Sequence, residues 1–284
     1  MTNSGRNRLI DRAFSVWGVV STFIGIALLL MFIGIILYDG LGRINWAFFT
    51  SLPSRFPEKA GIYTSMVGTL WIVVLTLILS LPLGISAAIY LEEYAKKGRF
   101  SNILEINISN LAGVPSIIYG LLGLQIFSRT MGLGGNLLAG AFTLALLVLP
   151  IIIVATREAI RAVPGSIKDA SYALGATKWQ TIWLQVLPGA SGGIMTGVIL
   201  ALSRAVGEAA PLIVVGALAY VPFVPASPMD QYSVLPIQIF NWISRPQAGF
   251  STNAAAGILI LLAITLAMNL VAVYYRSRYQ RKSN

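Results

Sequence analysis

Four stretches of this chain, residues 15–37, 65–90, 137–155 and 254–275, contain no charged side chain and consist mainly of Leu, Ile, Val, Ala, Gly and Phe. About twenty such residues, rising 1.5 Å each along a helix, cross a hydrocarbon core of roughly 30 Å. Two further stretches are apolar but interrupted. Residues 102–127 carry Glu105, Asn107, Ser109, Asn110 and a Pro at 115, and residues 192–220 carry Arg204 and Glu208. With 56% hydrophobic and 11% charged residues, the chain lacks the polar surface a soluble domain of this size needs. It is therefore expected to be all-α and integral to the membrane, with six transmembrane helices. Pro82 is expected to kink the second span, and the polar half of the third is expected to face protein or water. The domain reading is a short N-terminal segment (1–14), a transmembrane domain (15–275) and a basic tail (276–284). Arg6, Arg8 and Arg12 precede the first run as in a signal peptide, but that run is too long for an h-region, so it is expected to stay attached.

The net charge of +10 is distributed by loop rather than along one polar face, which argues against nucleic acid as a partner. If the N-terminus is cytoplasmic, fourteen of the twenty Lys and Arg residues fall on the inner side, five fall outside and Arg204 lies within a span. The positive-inside rule then places both termini in the cytoplasm. Trp46 and Trp242 are expected at outer membrane boundaries, and Tyr274, Tyr275 and Tyr279 at an inner one. The chain has no Cys and no His, which removes thiolate chemistry, the commonest general base and the commonest metal ligand. No catalytic residue and no metal site is expected. No G-x-x-x-x-G-K-[ST] sequence occurs, so ATP hydrolysis is expected in another subunit.

Between the fourth and fifth spans, residues 166–188 read SIKDASYALGATKWQTIWLQVLP. Ile167, Ala170, Ala173 and Leu174 recur at helical spacing until Gly175 offers a stop, and Thr177, Trp179, Ile182 and Trp183 make a second short piece amphipathic. The sequence Asp169-Ala170-Ser171, three residues, Gly175, and then Leu187-Pro188 resembles the EAA loop of ABC importer permeases. Asp169 and Ser171 stand where that pattern usually has Glu and Ala. The resemblance implies that Asp169, Ala170, Gly175, Leu187 and Pro188 belong to a cytoplasmic coupling helix that docks on a partner ATPase.

The fifth span contains Ser203-Arg204-Ala205-Val206-Gly207-Glu208-Ala209-Ala210-Pro211. Arg at a helix centre costs about 2.5–3.5 kcal/mol on insertion scales, so such a charge faces a cavity or a partner. Arg204 and Glu208 are spaced i,i+4 and are expected on one helical face near mid-membrane depth. Gly193, Gly197 and Ala201 give small-xxx-small spacing through which another helix or a translocation path could approach. Arg204, Glu208 and Ser203 are the candidate substrate-path residues, with the guanidinium suited to a tetrahedral oxyanion and Glu208 holding it in the ion's absence. The alternative is an ion pair that locks two helices. Positions 113, 115, 207 and 211 are candidate flexible points.

SRAVGEAAPL resembles the corresponding stretch of PstA-type phosphate importer permeases, as do IYLEEYA (89–95), GVPSIIYGL (113–121) and TREAIRAVP (156–164). The resemblance implies a type I importer permease fold and alternating-access transport of inorganic phosphate. It also implies a second, PstC-like permease, a PstB-like ATPase pair that binds ATP and Mg2+, and an external PstS-like binding protein. A permease for phosphonate, molybdate or sulfate, and a structural assembly subunit, remain as alternatives. Because the chain has no native cysteine, topology is directly testable. A membrane-impermeant maleimide added to intact cells is expected to label Gly132→Cys and to leave Asp169→Cys unlabelled.

Overall fold

The computed structural model describes residues 3–96, 98–218 and 220–280. Lys97, Arg281 and Lys282, counted above, lie outside the described residues, as do the side chains of Arg6, Arg8, Arg278 and Tyr279. The described helices, in chain order, begin with α1 (Asn3–Gly40), α2 (Trp46–Thr50) and α3 (Tyr63–Ile89). They continue through α4 (Arg99–Leu111), α5 (Ser116–Gly123), α6 (Leu137–Arg161), α7 (Gly165–Ala173) and α8 (Lys178–Thr181). The last four are α9 (Leu187–Gly207), α10 (Ala210–Val215), α11 (Leu235–Ile243) and α12 (Ala248–Gln280).

Among the described residues, five helices are long and apolar enough to cross a membrane, and a bent pair brings the number to six. The central one is α6. Its outward positions are few: Leu144, Val148 and Ile152 are buried against Ile72 of α3 on one side and Ile194 and Val198 of α9 on the other. The contact with α9 is close because Gly193 and Gly197 lack side chains. A Cβ at Gly193 would lie 2.7 Å from that of Ala159, and one at Gly197 would lie 2.3 Å from that of Ala155. The small-residue face read from the sequence is thus filled by α6 of the same chain. At the opposite extreme, α1 buries almost nothing and rests on α12 near its C-terminal end, where Gly40 meets the backbone of Ala255 and Ala256.

A second core lies at the end of the bundle holding residues 44–62. Phe48, Ile62, Leu235, Phe250 and Ala254 surround Trp242, which is 1% exposed and packs 5.7 Å from the Phe48 ring. Trp242 therefore belongs to the core and not to an interfacial belt, because α11 turns its apolar face onto α12. Trp46 stays exposed. Arg43 stitches this end together: its Nε donates to Asn253 Oδ1 at 2.8 Å, and its Nη2 donates to the carbonyls of Glu58 and Ala60, each at 2.9 Å. Tyr232, wholly buried against Gly140, has its phenol pushed well above the usual tyrosine range by that burial.

Two spans differ from their sequence reading. The third is not one helix: Ser101–Leu111 and Ser116–Thr130 meet at 101°, because Pro115 disfavours helical geometry at Val114 and Gly113 offers a loose joint. The fifth begins earlier and stops sooner than expected. Helical structure runs continuously from Lys178 to Gly207, so the second short piece of the 166–188 loop is the start of the span itself. Pro82 sits within α3, which continues past it as one span.

Inserting bulk between α6 and α9 tests this packing. Gly197→Leu is expected to cost about 1–3 kcal/mol of stability, seen as a lower melting temperature in detergent. Gly18→Leu, where a side chain meets nothing within 4 Å, is expected to leave that temperature unchanged.

Candidate functional site

The fifth span ends at Gly207, and the charged pair lies at that end rather than within an unbroken helix. Glu208 has extended backbone (φ −81°, ψ 119°) and its N–H donates to the Ala205 carbonyl at 3.2 Å, closing the last turn. Two residues later α10 starts, with Pro211 in its first turn. Arg204 Nε approaches Glu208 Oε1 at 3.4 Å, so the expected pairing forms although Glu208 is outside the helix. The Arg204 side chain is 45% exposed and that of Glu208 18%, with Ser203 half-buried beside them. A guanidinium held by one long contact keeps donors available for an anion.

The break is packed against the other interruption in the bundle. A Cβ at Gly120 of α5 would lie 2.8 Å from the Pro211 Cα, so the two backbones touch. Tyr119, buried next to it, donates its hydroxyl to the Leu111 carbonyl at 2.8 Å, a second bond to a carbonyl that also accepts from the Val114 N–H at 3.1 Å where α4 ends. Residues 113, 115, 207 and 211, singled out as candidate flexible points, thus flank two breaks that face each other.

The 166–188 loop lies at the other end of the fifth span: along the Lys178–Gly207 helix Arg204 is roughly 39 Å from Lys178 and roughly 24 Å from Pro188, the nearest coupling candidate. The two groups of candidate residues are not brought together. Asp169, Ala170 and Gly175 are exposed. Gly175 takes φ +84°, a left-handed conformation that ends α7 as the sequence suggested. Thr177 caps α8 in a reciprocal capping box with Gln180, and Ser171 Oγ meets Thr181 Oγ1 at 2.8 Å, which sets α7 against α8. Leu187 is half-buried and Pro188 exposed, both at the start of α9. Trp179 and Trp183 stack at 5.7 Å and remain exposed, with Leu174 almost fully so, leaving an apolar surface on the loop.

Sequence reading missed an ionic cluster beneath this loop. Glu92 receives Arg161 Nε at 2.9 Å and Arg157 Nε at 3.3 Å, while Glu105 receives Arg157 Nη2 at 3.1 Å and Arg161 Nη2 at 3.5 Å. Glu93 pairs with Lys168 of α7, and its backbone carbonyl accepts from Lys178 of α8. The available signal was the spacing: Arg157 and Arg161, four apart, share a helix face at the end of a span, and adjacent Glu92 and Glu93 end another.

A helical membrane bundle with two facing breaks and an exposed loop at one end has the build of a transport subunit. Residues 80–281 match the family described as binding-protein-dependent transport system inner membrane component, and the chain belongs to that family. It is an ABC importer permease subunit of the inner membrane, and its sequence is of the PstA type. The phosphate transport system permease protein PstA 1 of Mycobacterium tuberculosis (strain CDC 1551 / Oshkosh) is 34% identical over 232 residues, covering 80% of this chain and 74% of that protein. The PstA of Haemophilus influenzae is 31% identical, covering 93% and 91%. The probable ABC transporter permease YqgI of Bacillus subtilis is 29% identical, covering 95% and 96%. Among solved structures, the inward-facing MetNI methionine transporter superposes with a TM-score of 0.60 at 16% identity, covering 77% of this chain and 97% of that one. The fold is therefore that of an ABC importer permease.

Because α5 and α10 touch through Gly120 and Pro211, Gly120→Leu is expected to force the two breaks apart. The variant should still insert and assemble, with substrate uptake reduced at least about tenfold, short of the roughly hundredfold that a misplacement of about 1 Å can cost at a working site.

Proposed function

We propose that this chain is the PstA-type permease that carries inorganic phosphate into the cytoplasm, and that Arg204 forms part of the ion's path. The observation that carries this is the half-exposed Arg204 guanidinium at a helix break, restrained by a single 3.4 Å contact to Glu208. A planar fork of donors suits a tetrahedral oxyanion, and a competing carboxylate gives the ion a reason to leave. Two relatives bear the name of phosphate permeases, which supports this choice over other oxyanions. Ser203 contributes a hydroxyl beside the guanidinium.

Loop 166–188 serves as the coupling segment, with Asp169, Ala170 and Gly175 presenting α7 to a PstB-like ATPase pair and Leu187 and Pro188 anchoring it to α9. The exposed Leu174 and the Trp179–Trp183 stack supply the apolar surface that such docking buries. ATP and Mg2+ bind to that partner, a PstC-like permease completes the pathway, a PstS-like protein delivers the ion from outside, and both termini face the cytoplasm. Closure of the ATPases moves the loop, and alternating access follows as a rigid-body rearrangement.

The test is labelled-phosphate uptake by proteoliposomes holding the full complex with ATP on the ATPase side. Arg204→Gln is expected to assemble and lose uptake; retained uptake would reduce the Arg204–Glu208 pair to a structural lock. Transport of sulfate or molybdate but not phosphate by the unmodified complex would overturn the substrate and keep the importer. Asp169→Lys and Gly175→Leu are expected to insert normally yet hydrolyse ATP without moving substrate. Normal coupling in both would remove the loop from the mechanism.

A further inference from the structure

The loop is attached to the rest of the chain in an unusual way. None of the residues of α7 is buried, and its packing is against α8 and the turn that follows, so the apolar core does not hold it. Its links to another span are ionic and converge on one residue. Glu93, whose side chain is 8% exposed, pairs with Lys168 from α7, and the Glu93 carbonyl accepts from Lys178 of α8. The Lys178 ammonium also lies 4.7 Å from the centre of the Tyr94 ring.

The neighbouring carboxylate faces the other way. Glu92 binds Arg157 and Arg161 of α6, and the same two guanidinium groups grip Glu105 of α4. Arg157 is 7% exposed and Glu92 19%, so that pair is screened less than one at the surface, while Glu105 and Arg161, at 39% and 40%, stand partly in solvent. From Glu105 the chain of contact continues along α4 to the 101° bend, which the Tyr119–Leu111 hydrogen bond braces, and through α5 to Pro211 and the Arg204–Glu208 break.

We propose that Glu92 and Glu93 are positioning residues that tie loop 166–188 to α4, so that displacement of the loop drags the α4–α5 bend and with it the break bearing Arg204. The inference rests on the coupling role given to the loop above. The adjacent carboxylates, held in the π-helical turn Tyr90–Tyr94, act as one short rod with an ionic grip at each end. A network that only stapled helices would affect assembly when cut. A tie affects uptake and the hydrolysis that loaded binding protein stimulates, while assembly and unstimulated hydrolysis persist.

The experiment measures uptake and ATP hydrolysis together in proteoliposomes of the full complex, with unmodified protein, Glu93→Gln, Glu93→Lys, Lys168→Glu, the double reversal, and Glu105→Gln. Each single variant is expected to retain the co-purifying ATPase and its unstimulated hydrolysis. Hydrolysis stimulated by loaded binding protein, and uptake, should fall at least about fivefold, the lower end of measured couplings between sites. The double reversal should recover most of the loss, because it restores the pair with its ends exchanged. Normal stimulation and uptake in Glu93→Gln or Glu105→Gln, or a double reversal no better than its two single changes, would overturn the tie. Should Glu93→Gln fail to assemble, Lys168→Gln on exposed α7 decides in the same way. If Asp169→Lys and Gly175→Leu also couple normally, the coupling loop itself is lost; if they uncouple while Glu93→Gln and Lys168→Gln do not, only the tie is.

Discussion

Hydrocarbon offers a backbone amide no hydrogen-bond partner, and this constraint shapes the molecule. Unbroken helices can face lipid, which is how α1 and most of α12 remain largely unburied in one chain. An interrupted helix cannot, so each break must be covered by protein. The two interruptions, after Leu111 and after Gly207, cover each other: α5 lies on α10, Gly120 allows the Pro211 backbone to approach, and the Tyr119 hydroxyl adds a hydrogen bond to the Leu111 carbonyl at the first break. The place where helices are allowed to stop is therefore the place where polar chemistry can enter the bundle, and Arg204 and Glu208 sit there.

Charge obeys the same constraint at the other end. Arg157 and Arg161 extend from the last turns of α6 and are answered by Glu92 and Glu105, with Glu158 adding a further contact to Arg161 at 3.0 Å. Lys168 and Lys178 leave the loop to meet Glu93. The ionic end and the broken helices are joined by α4, which is polar enough to hold Glu105 and short enough to stop at the bend. If the loop has the coupling role proposed above, these contacts give it a physical route to the break at Arg204, alongside the continuous helix from Lys178 to Gly207.

Much of this was legible in the sequence. Uncharged runs of about twenty residues fix the spans regardless of neighbours, since lipid reads only apolarity and length. Gly175 at the end of a short periodic stretch announced the left-handed stop, and Arg204 with Glu208 inside an apolar segment announced a polar locus. The misreadings share a cause. Residues 102–127 scan as one span because hydropathy averages over the bend that Gly113 and Pro115 create. Trp242 reads as an interfacial residue because sequence does not reveal that α11 folds back onto α12. The 178–188 stretch reads as a separate interfacial piece because its polarity hides continuity with α9.

The sequence by itself determined where the long apolar spans run and which charged residues, Arg204 and Glu208 among them, interrupt an apolar stretch, because each follows from local composition against a fixed solvent. Only the tertiary structure decided that the small-residue face of α9 is filled by α6, that two breaks meet at Gly120 and Pro211, and that Glu92 and Glu93 grip opposite neighbours. Those depend on which surfaces meet, and residues distant along the chain become partners only when packing has set the helices side by side.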